Sequence, residues 1–191
     1  ITTQGFRPFF GFETEQKSNL MARVGTDSVS VYSQPNDEST ILYQRYRDEI
    51  INVYGEVISE FGPGYNPLWY RVWGGYMHRT HLQKVKITYN KPVSVIRETG
   101  QLGEVTVPYS DSMLYSKNYG WSITNRLYYR TIHWVLGIEE GPDRQPWYRI
   151  RDESNSANYY SPASHMRIIQ DDELTPITPE IEFNQKRIEV D

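Results

Sequence analysis

The chain has no cysteine among its 191 residues. That removes a disulfide framework, a thiolate zinc site and a cysteine nucleophile from this stretch. An excess of one charge is lacking too. Lys and Arg number 20 against 24 Asp and Glu, interspersed, for a formal net charge of −4. Such a balance gives no electrostatic footprint for nucleic acid or for an anionic membrane surface. No apolar run approaches the roughly 20 residues of a membrane span. The opening ITTQGFRPFFGF has neither a basic head nor a continuous apolar stretch, so it is not a signal peptide. It also begins without methionine, which reads as a processed or trimmed start.

Aromatic rings are what the chain has in abundance. They make up 14% of it, with 16 Tyr and 5 Trp, a composition opposed to disorder. The rings sit inside a repeated phrase. GPGYNPLWYRV begins at Gly62 and GPDRQPWYRI at Gly141. Downstream, Tyr76 matches Tyr160, His81 matches His165 and Leu82 matches Met166, all at one offset. Upstream, VYS at Val31 matches LYS at Leu114. Internal repetition on this scale predicts two copies of one structural unit.

Within each copy the apolar period is two. SVSVYS, EIINVYGEV, LWYRVW and RTIHWVLGI are β-branched and aromatic runs bounded by Pro, Gly, Asn and Asp. The pattern predicts an all-β chain of two small β-barrels in tandem. The expected divisions are an N-terminal segment over 1–19, one domain over 20–91, a divergent second over 92–171, and a linker over 172–191. Asn90 and Pro92 in ITYNKPVS mark the boundary. Pro108 is expected to interrupt the second copy's first strand.

The stretch DSVSVYSQPNDESTILYQRYRDEIINVYGE, followed by WYRVWGGYMHRTHLQKV, resembles a bacterial SH3-like (SH3b) domain. In the second copy Tyr159-Tyr160 replaces the Gly-Tyr pair. Two such domains followed by DDELTPITPEIEFNQKRIEVD resemble the region preceding the catalytic domain in one group of bacterial L,D-transpeptidases. The resemblance implies an extracytoplasmic, non-catalytic module that targets or positions a peptidoglycan cross-linking enzyme. The enzyme's cysteine would lie beyond Asp191, and KRIEVD would be the first strand of its catalytic domain. The expected partners are that domain and peptidoglycan or a muropeptide. The alternative is a stand-alone SH3b adaptor binding protein or glycan with no enzyme attached.

Alternation along WYRVW places Trp69, Arg71 and Trp73 on one face and Tyr70 and Val72 on the other. In the second copy two arginines, Arg149 and Arg151, share the tryptophan's face. Two guanidinium groups cannot share a small apolar core without partners, so Tyr148 and Ile150 face inward and Tyr70 and Val72 follow. The outer row can seal an interface, hold an acidic and partly apolar ligand, or stand exposed. If a ligand binds, Trp69, Arg71 and Trp73 are its candidate contacts, with Tyr76 at the rim.

No catalytic residues, cofactor or metal site are expected. His78 and His81 stand three apart with no third ligand nearby in sequence, and the match of His81 to His165 favours a structural hydrogen bond. Glu139-Glu140 and Asp171-Asp172 are solvated turn charges, and GPG and GG are turns with no helix following. FRPFFGF, with four phenylalanines, is expected to wrap over a barrel or dock a partner. LTPITPEI, with Pro176 and Pro179, reads as an extended linker.

Overall fold

A computed structural model describes residues 20–152 and 157–174. The chain divides into two compact units between Ile87 and Thr88, ahead of Pro92. FRPFFGF, KRIEVD and all but the first residue of LTPITPEI lie outside the described residues.

The fold is all β. In the first unit β1 (Leu20–Val24), β2 (Ser28–Tyr32), β3 (Ile41–Tyr46), β4 (Ile50–Val53), β5 (Gly55–Ile58), β6 (Leu68–Val72), β7 (Gly75–His78) and β8 (Leu82–Val85) follow in order. The second unit has β9 (Gln101–Val105), β10 (Tyr109–Ser116), β11 (Gly120–Tyr128), β12 (Ile132–Glu140), β13 (Pro146–Ile150), β14 (Tyr159–Pro162) and β15 (Met166–Ile168). A 3-10 turn precedes the last strand of each, over Arg79–His81 and Ala163–His165. Pro108 falls in the short link between β9 and β10, where its missing N–H breaks no ladder.

All strand pairs are antiparallel. The second unit forms a single sheet in the order β11-β10-β14-β13-β12-β9-β15. Its long strand β12 serves two neighbours. Ile132–Val135 pairs with β9, and the register then shifts between Val135 and Gly137 before the rest pairs with β13. In the first unit the corresponding strand is cut at Tyr54, so β4 joins β1 while β5 joins β6. Two sheets result, β4-β1-β8 and β3-β2-β7-β6-β5. Apart from that cut, the neighbour order in the two units is the same.

The described strands form three antiparallel sheets, with no continuous ring of pairing around either unit. The outer strands β11 and β15 are the free edges of the long sheet, and both first-unit sheets are likewise open. The upstream match also shifts. Tyr32 pairs with Tyr76, and Met113, not Tyr115, pairs with Tyr160.

Each unit has its own core. The first gathers Val24, Val29, Val31, Val53, Tyr70, Val72 and Met77; the second gathers Val105, Leu127, Val135, Tyr148, Ile150 and Met166. Period-two alternation explains the selection: in β2, Val29 and Val31 are buried while Ser28 and Ser30 are not. Each such side chain contributes roughly 1.5–3 kcal/mol by leaving water.

Residues before β9 belong to the second unit. Thr88 N donates to Thr106 O at 3.0 Å, and Asn90 N donates to Ser164 O at 2.8 Å. Val93 N donates to the Tyr148 hydroxyl at 3.1 Å, and Val93 and Ile96 pack on the core.

Candidate functional site

The repeated phrase has a steric cause. Tyr70, Val72, Tyr148 and Ile150 enter the two cores, as alternation requires, while Trp69 and Trp147 lie outside those clusters. They are buried all the same, at 0% and 6% exposure. The loop before β6 folds back over the Trp69 indole, and a Cβ at Gly62 would stand 2.6 Å from its Nε1. Gly141 meets Trp147 more closely still. Glycine is required because the backbone approaches the ring so tightly.

Trp69 packs edge-on against Tyr32 and His78, with centroids 5.5 and 5.0 Å away. Of the four candidates it is thus the one packed away from solvent. Arg71 and Tyr76 are cross-strand partners on the same outer face, both half-buried.

Trp73 parts company with them. It sits in the turn between β6 and β7, next to Gly74 with φ of +77°, so strand alternation no longer aims it. It is 76% exposed. The Tyr43 hydroxyl donates to its carbonyl and holds the turn.

Trp73 lines a cavity of about 400 Å³ whose walls also carry Tyr43, Arg45, Asn52 and Tyr54, with Val72 and Met77 of the core at its floor. Two differences from the second unit fall at its wall. One is the cut at Tyr54. The other is Arg45, which pairs with Val29 as Leu127 pairs with Ser110. Leu127 is buried in its core, whereas Arg45 carries a guanidinium to the wall and pairs with Glu49 at 2.6 Å. A cavity with aromatic walls, one amide and a guanidinium already paired with a carboxylate suits a ligand that combines an apolar or sugar face with polar groups. Tyr43, Arg45, Asn52 and Tyr54 escaped the sequence reading. The available signal was Arg45 standing where the second copy places leucine.

The second unit has an aromatic cluster instead. Trp121 lies 5.2 Å from Tyr115, 5.1 Å from Tyr160 and 6.1 Å from Trp147, by ring centroids. Trp147 Nε1 donates to Asp143 at 2.8 Å, and Arg149 pairs with Glu139 at 3.0 Å. A hollow of about 310 Å³ carries Glu139, Glu140 and Arg144 on its wall.

The histidines are structural. His78 Nε2 bonds Asn66 O at 2.7 Å, and the ring is 8% exposed. The shared feature of His81 and His165 is the backbone: their carbonyls accept from Gly25 N and Thr106 N, each at 2.9 Å. His165 Nδ1 also bonds Ser110 Oγ at 2.8 Å, and Ser110 bonds Ser161 at 2.9 Å. That pair has the makings of a nucleophile and base, but Ser110 is 1% exposed and no substrate reaches it. Burial lowers the His165 pKa, which holds the ring neutral. Among the described residues no three His, Asp or Glu converge as metal ligands. No helix among them is long and apolar enough to cross a membrane.

No protein-family model matches the chain. No curated protein matches it. Among solved structures the chain is similar to that of NlpC2 from Trichomonas vaginalis, at 13% identity and a TM-score of 0.26. The alignment covers 84% of this chain and 52% of that one, so the chain spans about half of that structure's length. A likeness this distant carries no argument about fold or chemistry.

Proposed function

We propose that the chain is a non-catalytic, extracytoplasmic binding module of two SH3-like units, serving to place an L,D-transpeptidase on peptidoglycan. In this reading the first unit takes a muropeptide in the cavity beside Trp73, with the indole against a sugar or apolar side chain and Arg45 facing a carboxylate. The observation that carries it is the pairing of an open cavity of about 400 Å³ with a tryptophan 76% exposed at its rim. A solvent-facing indole at the edge of a half-apolar cavity is the arrangement expected of a ligand anchor. The missing cysteine and the inaccessible Ser110 agree with a binding rather than a catalytic role.

Titration of the chain with a disaccharide-tetrapeptide, followed by tryptophan fluorescence and amide shifts, tests this. Trp73→Ala should weaken binding at least about tenfold, as loss of an aromatic anchor does, and Arg45→Gln should weaken it and remove its salt dependence. Amide shifts confined to the Trp121 cluster, or binding unchanged in both variants, would overturn the assignment.

A further inference from the structure

The cavity of the first unit opens between two strand edges. β3 is hydrogen-bonded to β2 alone and β4 to β1 alone, so each keeps one free edge among the described residues. The chain between them reverses over residues 47–49, with Asp48 at φ of +66°. From there the arms diverge instead of pairing: β3 joins the five-stranded sheet and β4 the three-stranded one. The cavity is walled by both, with Tyr43 and Arg45 from β3 and Ile51 and Asn52 from β4. An unpaired strand edge carries a row of backbone N–H and C=O groups, which an extended chain can meet.

Side chains on the same wall ask for the same partner. The Tyr43 hydroxyl is engaged by the Trp73 carbonyl, and Arg45 by Glu49 at 2.6 Å. The Asn52 carboxamide and the Tyr54 hydroxyl remain, neither with a side-chain hydrogen bond among the described residues. A carboxamide offers donors and an acceptor without charge, and a phenol offers either. Their complement is an uncharged group bearing both N–H and C=O, which is an amide. A sugar hydroxyl would meet Asn52 but leaves two strand edges without partners. Val72 and Met77 at the floor can seat one apolar side chain, and in an added strand every second side chain points the same way. The second unit is built otherwise. By register Trp134 stands where Asn52 does, since Leu102 pairs with Trp134 as Met21 pairs with Asn52. Leu127 stands where Arg45 does, so neither polar group has a counterpart there.

We infer that the cavity takes an extended, uncharged peptide segment between β3 and β4. Its backbone amides meet the free edges, the Asn52 carboxamide and the Tyr54 hydroxyl, and one of its side chains rests on Val72 and Met77. In the muropeptide reading, on which this rests, the peptide and not the sugar lies between the strands.

Two probes, each titrated into the whole chain, separate the sources of an amide. N-acetyl-tetraalanine amide is a peptide with no sugar and no charge, whereas chitotetraose carries acetamido groups on sugar and no peptide. The peptide should shift amides along β3 and β4 and, at saturation, slow exchange of at least one amide in Ile50–Val53 about tenfold. Asn52→Ala should weaken the peptide at least about threefold, as loss of a hydrogen bond does. Asn52→Trp, which installs the second unit's residue, should abolish its binding. Asn52 is exposed, so both variants should keep the urea midpoint of the unaltered chain. Chitotetraose should leave β3 and β4 unshifted. A disaccharide-tetrapeptide that binds through Trp73 while the peptide probe does not would overturn the inference and leave the cavity reading standing. So would peptide binding indifferent to both Asn52 variants, or chitotetraose bound at Asn52 in its place. If none of the three ligands perturbs Trp73, β3 or β4, both readings fall.

Discussion

Gly62 and Gly141 each lie against the indole of the following strand, and neither has a positive φ. Alanine is therefore allowed by the backbone, and only space decides the outcome. Gly→Ala gains about 0.4–1 kcal/mol by restricting the unfolded chain, while overpacking a filled site costs about 1–3 kcal/mol. Packing wins here, because the atoms in the way are a buried ring. Gly141→Ala should destabilise by about 1–2 kcal/mol on those figures, and Gly62→Ala by somewhat less. Gly64 is the control, since a Cβ there meets nothing within 4 Å. Gly64→Ala should leave the urea midpoint unchanged or raised, whereas Gly141→Ala should lower it.

His165 adds a pH dependence at the same scale. Burial lowers its pKa, so near the ordinary imidazole value of about 6.5 the unfolded chain binds a proton that the folded chain refuses. The stability from this site is complete above about pH 6.5 and declines as the pH falls from there toward the folded pKa. Ser110 Oγ and the Tyr89 ring, 5.7 Å away, are the groups that face it. Glu173 titrates in a lower window. Its carboxylate accepts from Gln170 N and pairs with Arg167, which lowers its pKa, and its contribution is lost only below the carboxylate range of about 4.3. Urea midpoints measured between pH 8 and pH 5 should therefore fall on the acid side, and His165→Asn should flatten that fall. An unchanged profile in the variant would assign the dependence elsewhere.

At the scale of elements, strand type and inward face were legible in the sequence because period-two alternation is a local property. Tyr70, Val72, Tyr148 and Ile150 went inward for the reason read from Arg149 and Arg151: a guanidinium group resists a small core. For Trp73 alternation gives no direction, because it stops where the strand does, and β6 ends at Val72. The cut at Tyr54 had only a faint local signal, Gly55, which matches Gly137 at the second unit's register shift. Its cause is pairing: one half of the run follows β1 and the other follows β6. In the second unit the same tension is relieved by the shift at Val135 and Gly137. The tie from the chain before β9 is also non-local, joining Val93 to Tyr148. Tyr148→Phe removes that acceptor and should cost about 0.5–1.5 kcal/mol. Faster exchange of the Val93 amide, with the strand amides of β13 unchanged, would locate the loss.

At the scale of the whole molecule, the division between Ile87 and Thr88 gives the stretch before Pro92 to the second unit, and the hydrogen bonds say why. Thr88 N and Asn90 N donate to Thr106 O and Ser164 O, and Asn90 Nδ2 reaches Thr106 Oγ1 at 2.6 Å. The Tyr89 ring lies against His165. A cut at Pro92, where the sequence pattern breaks, would strip all of these from a unit whose core is otherwise intact. Each hydrogen bond contributes about 0.5–1.5 kcal/mol net, and a small domain has only a slender margin of stability. A fragment over 88–191 should therefore unfold cooperatively in urea with native near-UV circular dichroism. One over 92–191 should unfold at a lower midpoint, by about 1–3 kcal/mol if two or more of these bonds matter. Asn90→Ala in the longer fragment should recover part of that difference. Equal midpoints for the two fragments would mean that residues 88–91 lie on the second unit without supporting it, and that its edge is at Pro92 after all.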